Sequence, residues 1–384
     1  MSRFVQMPII SGGTQTGVSR DIVIRDIPRP RSSNIETKAD MMHAVCYATA
    51  QIVDGKIYVF GGRASTDPIG STYVQIYDIA TNVWTSGTDV PYAIDGATSF
   101  VHGRDIYIVG GEANTSHMSR YNIDENAWHN EIDPPYVFQC AYGALHETQK
   151  NFYLAGGISG GYVLKKAAFY NIESKTWSLL PDMPTACANG FGFIDPVDNC
   201  FFCYFNQNRV SAKYLFDKQM WVKDTNTAYV APACVFVDGH LFKIGGEQWA
   251  NNKPWNLSNL VTSYFPVSTF FTTDFITRLP KPVMAACAIW YEGLIYVIGG
   301  KSRKPDTPFA DVYTYKPRYE EQGFLCRGEC EVEVDRRALV KGNYISPNTV
   351  TRVNGIWSLV FPDGVGRARI TPLSDDFEIC GTRG

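Results

Sequence analysis

Histidine is the residue type most often found as a metal ligand or general base, because imidazole titrates near neutral pH. The chain has six histidines. Three of them, His102, His146 and His240, stand at matching places, each in a turn just before an apolar run. These turns lie in separate segments of the chain, which keep the three side chains apart. We therefore expect the three histidines to be solvated turn residues. The sequence predicts no metal ion and no cofactor.

Ten cysteines are the next candidates for chemistry. A small, soft side chain suits a crowded interior, so we expect buried free thiols where cysteines fall on or beside inner strands. These are Cys46, Cys140, Cys187, Cys234 and Cys287. Near the C-terminus, Cys326, Cys330 and Cys380 form a poor zinc pattern, because structural zinc takes four ligands. A disulfide from Cys380 to Cys326 or Cys330 is the alternative.

Five apolar runs end in a Gly-Gly pair. Glycine-rich loops can cradle phosphate groups. Phosphate loops continue into a helix with Lys-Ser or Lys-Thr, and no such continuation follows here. We therefore expect the glycines to serve backbone geometry where strands crowd together. The pairs are Gly61-Gly62, Gly110-Gly111, Gly156-Gly157, Gly245-Gly246 and Gly299-Gly300.

The diglycines recur about every fifty residues if Phe205-Asn206 is counted as a degraded copy, and such a period is typical of repeat architectures. A tyrosine and an aromatic residue seven positions later follow each of the first five copies. The sixth unit has Tyr315 without an aromatic partner. This combination, over about residues 20–324, resembles the kelch motif. The pairs are Tyr77 and Trp84, Tyr121 and Trp128, Tyr170 and Trp177, Tyr214 and Trp221, and Tyr264 and Phe271.

The resemblance implies an all-β fold, a six-bladed kelch β-propeller with one four-stranded blade per repeat. The residues of the first unit support four strands. Its Asp54-Gly55 pair lies between β-rich runs and favours a two-residue hairpin turn. We expect the diglycines and the tyrosine and tryptophan pairs to be structural, with the aromatic rings packed between blades.

The domain organisation has three predicted segments. Residues 1–19 form a flexible arm, residues 20–324 the propeller, and residues 325–384 a small extension that contains a β-hairpin. Residues 21–26 end like the fourth strands of other units, so we expect them to close the last blade as its outer strand. A closed ring has no exposed sheet edge at its junction.

The composition is that of an ordinary soluble globular protein, with 45% hydrophobic residues, 19% charged residues and a net charge of −3. The small net charge does not suggest a nucleic-acid or membrane-surface partner. The chain has no apolar run of about 18 residues and no signal-peptide core at its start. We expect a cytoplasmic protein or part of a larger assembly.

Catalytic motifs are absent from the sequence: it has no nucleophile elbow, metalloprotease helix, nucleotide loop or paired-carboxylate motif. The kelch N-acetylneuraminate epimerases are similar to this chain in their six-bladed ring. That resemblance implies acid and base residues in a central pocket, but no residue of this chain is matched to theirs. We predict no catalytic residue.

Recognition is expected on one face, because the loops after the second and fourth strands of every blade emerge together there. Trp249 and Trp255 in the fifth unit could anchor a partner, or shield the top of the ring. The cluster Lys301, Arg303 and Lys304 could meet an acidic partner segment, or be a solvated loop. The candidate partner-binding residues are Arg63, Tyr92, Glu112, His117, Tyr136, Arg209, Gln248, Trp249, Trp255, Lys301, Arg303 and Lys304.

The leading hypothesis is a non-enzymatic interaction scaffold that binds a protein, or alternatively a glycan, through these loops. One alternative is a structural component of a large assembly such as a virus particle, held by its terminal segments. The other is an enzyme that acts on a sugar in the central opening.

Overall fold

The structure is a computed structural model that describes residues 22–23, 29–31, 35–65, 67, 69–111, 115–195, 199–204, 210–225, 229–237, 240–250, 253–264, 274–303, 306–320, 333–334, 350–353, 356–362 and 368–372. Every regular element in these ranges is a β-strand. No helix in them is long and apolar enough to span a membrane.

Six four-stranded antiparallel sheets form the six blades of a propeller. Strands a to d of each blade, from the centre outward, are Thr49–Val53, Lys56–Phe60, Val74–Asp78 and Val83–Ser86 in blade 1; Thr98–His102, Asp105–Val109, Met118–Asn122 and Ala127–Asn130 in blade 2; Tyr142–His146, Asn151–Ala155, Ala167–Asn171 and Thr176–Leu180 in blade 3; Phe191–Asp195, Cys200–Tyr204, Val210–Leu215 and Met220–Thr225 in blade 4; Ala233–Val237, His240–Ile244, Leu260–Tyr264 and Asp274–Arg278 in blade 5; and Cys287–Tyr291, Leu294–Ile298, Val312–Tyr315 and Ile35–Thr37 in blade 6.

Tight hairpins join strands that are close in the sequence, so each blade forms largely from one short stretch of the chain. In blade 1, strands a and b are joined by Asp54 and Gly55, whose φ angles of 49° and 71° are both positive. A two-residue turn with positive φ at both positions matches the right-handed twist of the strands, which is why Asp-Gly suits it.

The six a strands contact one another in sequence, and strand a of blade 6 contacts strand a of blade 1. Just before these strands, six residues form a closed circle of backbone hydrogen bonds, here called the mouth ring. Each N–H donates to the carbonyl of the ring residue in the preceding blade, at 2.6 to 3.1 Å. All six φ angles are positive. The members are Tyr47, Gly96, Cys140, Asn189, Ala231 and Ala285.

Each interface between consecutive blades holds its own cluster of buried apolar side chains. The tyrosine of strand c pairs directly with the tryptophan of strand d in blades 1 to 4. Their ring centroids lie 5.0 to 5.3 Å apart. These aromatic rings belong to the cores between blades, where burial of their large surfaces stabilises the ring.

The diglycines lie where strand b leaves one blade and approaches the next. The N–H of Gly62 donates to the carbonyl of Ile94 at 2.9 Å, and a Cβ on Gly61 would lie 2.1 Å from Ile94 Cγ1. The N–H of Gly157 donates in the same way to Cys187 at 2.8 Å. The diglycine therefore provides both a hydrogen bond between blades and the space for their close approach.

The ring is closed by an N-terminal strand, but the predicted segment is wrong. Strand d of blade 6 is Ile35–Thr37, in which Ile35 pairs with Tyr315. Ile22 and Val23 pair instead with Val334 and Glu333, and residues 24–28 lie outside the described residues. Tyr315 is fully buried, so the closing strand must place an apolar residue opposite it, as Trp84 stands opposite Tyr77. The likeness of residues 21–26 to the ends of other fourth strands does not report that requirement.

Beyond the blades, segments that flank the propeller on its N-terminal and C-terminal sides pair with each other. Arg29–Arg31 is antiparallel to Arg318–Glu320. The expected C-terminal hairpin joins Ile356–Pro362 to Ala368–Pro372, and Val350–Val353 adds a third strand. The predicted arm of residues 1–19 lies outside the described residues.

Candidate functional site

The face that carries the mouth ring is here called the upper face. It collects the loops from strand b to strand c and from strand d to the next blade, because strands a and c run away from it. Three residues that follow a diglycine form backbone bridges with the residue preceding a mouth-ring position: Arg63 with Cys46, Ile158 with Gln139 and Lys301 with Met284. The side chains at these positions therefore surround the central opening.

Arg63 and Asp95 link blades 1 and 2 at the opening. Arg63 Nε donates to Asp95 Oδ2 at 3.0 Å. Asp95 is 3% exposed, and its Oδ1 has no hydrogen-bond partner among the described residues. Burial raises the pKa of this carboxyl, and the attraction of Arg63 opposes that shift in part.

Lys301 and Arg303, the described members of the expected basic cluster, both form ion pairs within the protein. Lys301 is 8% exposed, and its Nζ lies 2.8 Å from Asp306 Oδ1. Arg303 Nε lies 2.8 Å from Glu247 Oε1 and thereby joins blade 6 to blade 5. Lys304 lies outside the described residues. The two described cations are ion-paired within the protein, which weakens their attraction for an acidic partner.

Tyr47 lies between two of these cations and is not among the residues expected from the sequence. Its ring centroid is 5.5 Å from Arg63 Cζ and 5.3 Å from Lys301 Nζ. Burial raises the pKa of its hydroxyl. Its place in the mouth ring could be inferred only from the alignment of the six units, because no motif marks it.

Three expected aromatic residues differ in exposure. Tyr92 and His117 lie close together, with ring centroids 4.8 Å apart, and Tyr92 donates its hydroxyl to Ser119 Oγ at 3.0 Å. Both are half-buried. Tyr136 is buried in the core between blades 2 and 3 and donates to the carbonyl of Lys166. Tyr136 thus has little surface to offer a partner.

The fifth unit carries a β-hairpin where the sequence suggests a long loop. Glu247–Ala250 pairs with Lys253–Leu257 and with Tyr229–Val230, so a small three-stranded sheet stands on the upper face. Trp249 is opposite Pro254, and the register shifts between Gln248 and Trp249. Trp255 lies in the second strand. The side chains of these three candidates, and the whole of Glu112 and Arg209, lie outside the described residues.

Two apolar side chains in the described loops of the upper face are more than three-quarters exposed. Ile69, between strands b and c of blade 1, is 84% exposed, and Tyr162, at the corresponding place in blade 3, is 78% exposed. Asp67 fixes the first loop by accepting a hydrogen bond from Tyr73 Oη at 3.0 Å. Ile69 is not among the partner-binding residues expected from the sequence. Its signal is an isoleucine inside a Pro-Ile-Gly turn, where no core position is expected.

Groups suited to metal binding do not come together in the described part of the chain, which has no cluster of three or more histidine, cysteine or acidic side chains. His102 and His146 lie at turns on the opposite face, at the ends of strands a. The seven described cysteines are free thiols. Burial raises the pKa of Cys46, Cys140 and Cys287 to about 12, which makes these thiols poor nucleophiles. Cys326, Cys330 and Cys380 lie outside the described residues.

The fold and the geometry of the opening define a closed six-bladed β-propeller whose upper loops surround a hydrogen-bonded mouth. The family model described as the Kelch motif matches residues 44–91. With the six repeated blades, their diglycines and their tyrosine and tryptophan pairs, this makes the chain a kelch-repeat β-propeller protein.

Several curated proteins are similar to parts of the chain. The Kelch-like protein terF of Aspergillus terreus is 25% identical over 304 residues, 71% of this chain and 65% of that protein. The RING finger domain and kelch repeat-containing protein of Dictyostelium discoideum is 26% identical over 38% of this chain and 15% of that protein. The human Kelch-like protein 23 is 31% identical over 38% of this chain and 26% of that protein. The chain thus spans less than two thirds of these relatives' lengths.

Among solved structures, YjhT superposes with a TM-score of 0.60, over 72% of this chain and 95% of that chain. The sequence identity is 14%, so this likeness concerns the fold alone.

Proposed function

We propose that this protein is a non-enzymatic interaction module whose upper face binds a protein partner. The kelch-repeat propeller fold supports a protein-interaction role in general. The observation that carries the more specific proposal is the pair of exposed apolar side chains, Ile69 and Tyr162, on loops of the same face.

The rigidity of the ring supports this assignment. The mouth ring and the six apolar interfaces hold the blades in place, so the loops between strands b and c can vary without unfolding the protein. Loops held by a rigid support order little on binding, which limits the entropy lost in a complex.

The charges around the opening favour a partner that presents apolar surface. Arg63 is paired with Asp95, Lys301 with Asp306, and Arg303 with Glu247. Because these cations already have partners, binding would gain little from added acidic groups. Apolar contacts with Ile69 and Tyr162 would contribute more, as buried aromatic and aliphatic anchors commonly do.

The experiment is affinity capture from the native source with the full chain, followed by quantitative mass spectrometry. The test variant carries Ile69→Asp and Tyr162→Asp. The matched control is Leu179→Asp, since Leu179 is 71% exposed but lies on the outer strand of blade 3. Proteins recovered with the wild type and the control, and lost with the double variant, are the expected partners.

The affinity of such a partner is then measured with purified components. Loss of a central apolar anchor commonly costs about 2 kcal/mol or more, so the double variant should bind at least about 30-fold more weakly. If every partner captured by the wild type binds the double variant equally well, the upper-face assignment is wrong.

A further inference from the structure

The loop between strands b and c of blade 3 forms a small β-hairpin on the upper face. Ile158–Ser159 pairs with Tyr162–Val163, whose two side chains are 78% and 38% exposed. Shortly after the hairpin come Lys165 and Lys166, and both side chains are exposed. The group of four exposed side chains is here called the blade-3 patch, and its members are Tyr162, Val163, Lys165 and Lys166.

Hydrogen bonds hold the backbone beneath the two lysines in place. The carbonyl of Lys165 accepts from the N–H of Met183 at 2.7 Å. The carbonyl of Lys166 accepts from the N–H of Gly156 at 2.8 Å and from the hydroxyl of Tyr136 at 3.2 Å. The lysine side chains therefore extend from an anchored main chain, which limits the backbone entropy lost when a partner binds.

Neither lysine of the blade-3 patch forms an ion pair with a described residue. Lys166 Nζ lies 6.0 Å from the centroid of the Tyr136 ring, a contact that leaves its charge uncompensated. The two lysines thereby differ from four other described cations of the upper face, which are paired with acids: Arg63 with Asp95, Lys281 with Asp311, Lys301 with Asp306, and Arg303 with Glu247.

One exposed acid lies in the segment that leaves blade 3. Asp182 directly precedes Met183, whose N–H binds the Lys165 carbonyl, so the Asp182 carboxylate lies near the patch. It forms no ion pair with either lysine in the described part of the chain. Two lysines and one carboxylate leave one positive charge here, whereas the whole chain has a net charge of −3. The patch is thus opposite in sign to the protein as a whole.

The corresponding loop of blade 1 has the same backbone contacts but no cation at these two places. Thr72 corresponds to Lys165, because its carbonyl accepts from the N–H of Val90. Tyr73 corresponds to Lys166, because its carbonyl accepts from the N–H of the first diglycine residue. The blade geometry therefore does not require lysine at either place.

The side chains at these two places in blade 1 bind carboxylates. Thr72 Oγ1 donates to Asp89 Oδ2 at 3.3 Å, and Tyr73 Oη donates to Asp67 Oδ2 at 3.0 Å. Blade 1 thus presents its exposed isoleucine, Ile69, on a loop whose hydroxyl groups hold acids. Blade 3 presents its exposed tyrosine next to cations, so the two sides of the upper face differ in charge.

From these contacts we propose that the partner binds through an acidic peptide segment with apolar side chains, and that the acidic part lies over the blade-3 patch. This inference rests on the proposed function and specifies the chemistry and orientation of the partner. The apolar side chains pack against Tyr162 and Val163, and the carboxylates pair with Lys165 and Lys166. In the reverse orientation the carboxylates meet the acids of blade 1, which disfavours it.

Selection of a phage-displayed library of random peptides on the immobilised full-length protein tests the proposal. The selection is run at about 50 mM salt, where the attraction between exposed charges is only weakly screened. Enriched peptides should combine aromatic or aliphatic residues with Asp or Glu. A synthetic copy of an enriched peptide should bind more weakly at about 500 mM salt, because screening reduces the attraction.

Charge reversal separates the two lysines from the overall charge of the protein. Lys165→Glu with Lys166→Glu should weaken binding of the synthetic peptide about tenfold, because two attractions become repulsions. Lys56→Glu with Lys218→Glu makes the same change of net charge at exposed positions on the opposite face, and should leave the affinity nearly unchanged. A peptide whose acidic residues are replaced by lysine should bind the Lys165→Glu, Lys166→Glu variant more tightly than the wild type.

The outcomes distinguish this inference from the proposed function. A peptide that is lost with Ile69→Asp and Tyr162→Asp, but not with the lysine reversal, would retain the proposed function and overturn this inference. A peptide that binds every variant equally would contradict both. Failure to enrich any peptide, or enrichment of peptides without acidic residues, would also overturn the acidic partner.

Two further probes test other classes of anionic partner. They are a single-stranded oligothymidylate and vesicles of phosphatidylcholine and phosphatidylserine. Neither should bind the full-length protein in a way that depends on Lys165 and Lys166. Lysine-dependent binding of either probe, with no acidic peptide enriched, would assign the patch to nucleic acid or to a membrane surface and would refute the peptide assignment.

Discussion

Trp177, on the outer strand of blade 3, donates its indole N–H to the carbonyl of Ile132 at 2.8 Å. Ile132 lies in the segment that leaves blade 2. The same bond joins Trp84 to Ala39, Trp128 to Thr88 and Trp221 to Pro181, at 2.8 to 2.9 Å. In blades 1 to 4 the tryptophan therefore ties its outer strand to the exit of the preceding blade, in addition to packing against its tyrosine.

This double role predicts two distinct losses of stability at position 177. Trp177→Ala removes the ring and its hydrogen bond and should lower the free energy of unfolding by about 3 kcal/mol. Trp177→Phe keeps an aromatic ring and should cost about 1 kcal/mol for the lost bond. Urea denaturation gives both values. Leu179→Ala, two residues away and exposed, is the control and should be nearly neutral. No loss of stability in Trp177→Phe would show that the indole N–H contributes nothing, and equal losses for the two variants would show that the packing of the ring contributes nothing.

The diglycines allow steric crowding to be separated from backbone conformation. Gly61 and Gly103 have φ angles of 58° and 63°, but a Cβ on Gly103 would meet nothing within 4 Å. Gly103→Ala should therefore cost about 1 kcal/mol, the conformational penalty alone. Gly61→Ala must also displace Ile94 and should cost at least about 2 kcal/mol more. Chemical denaturation of both variants checks this difference, and similar losses would argue against the close approach of the blades.

The closing strand predicts where N-terminal truncation becomes damaging. A chain that starts at residue 35 keeps the pairing of Ile35 with Tyr315 and should unfold close to the full-length protein. A chain that starts at residue 39 exposes Tyr315 and should lose on the order of 3 kcal/mol through lost burial and lost backbone bonds. Melting and urea titration of the two chains test this. A large loss of stability in both truncated chains would show that the strand that closes the ring lies upstream of residue 35.

Lys243 predicts a pH dependence of global stability with a definite sign. Its pKa is lowered from 10.5 to about 7 in the folded protein. Between these values the unfolded chain binds a proton that the folded chain does not, so the free energy of unfolding falls as the pH decreases. Below about pH 7 both states carry the proton and the loss is complete.

Lys243→Met should therefore be more stable than the wild type by a few kcal/mol at pH 7 and by much less near pH 10.5. Urea titrations at both pH values measure the difference. Lys223 is exposed on the outer strand of blade 4, so Lys223→Met serves as the reference for loss of one exposed positive charge. A difference that does not change with pH would contradict the buried position of Lys243.

Much of the blade architecture could be predicted because each blade forms from one stretch of about fifty residues. Tyr77 pairs with Trp84 and Lys56–Phe60 with Val74–Asp78 across short connections, so their residue types and spacing report the contacts directly. The number of blades follows from the number of repeats, even where Phe205-Asn206 replaces a diglycine.

The candidate site could be predicted only in outline, as a face. The connectivity of the blades predicts the face on which four candidates lie: Arg63, Tyr92, His117 and Lys301. The burial of Tyr136 and the neutralisation of Arg303 by Glu247 depend on side chains from neighbouring blades. The 84% exposure of Ile69 is a property of the folded ring, and a single turn sequence cannot report it.

The sequence by itself determined the repeat, the strand pairs and the positions that need glycine, because these depend on interactions between residues close in the chain. The tertiary structure decided which N-terminal strand closes blade 6, how Tyr47 completes the mouth ring with Ala285, and where Lys243 is buried. These features join residues far apart in the chain, and their energies depend on geometry and desolvation at blade interfaces.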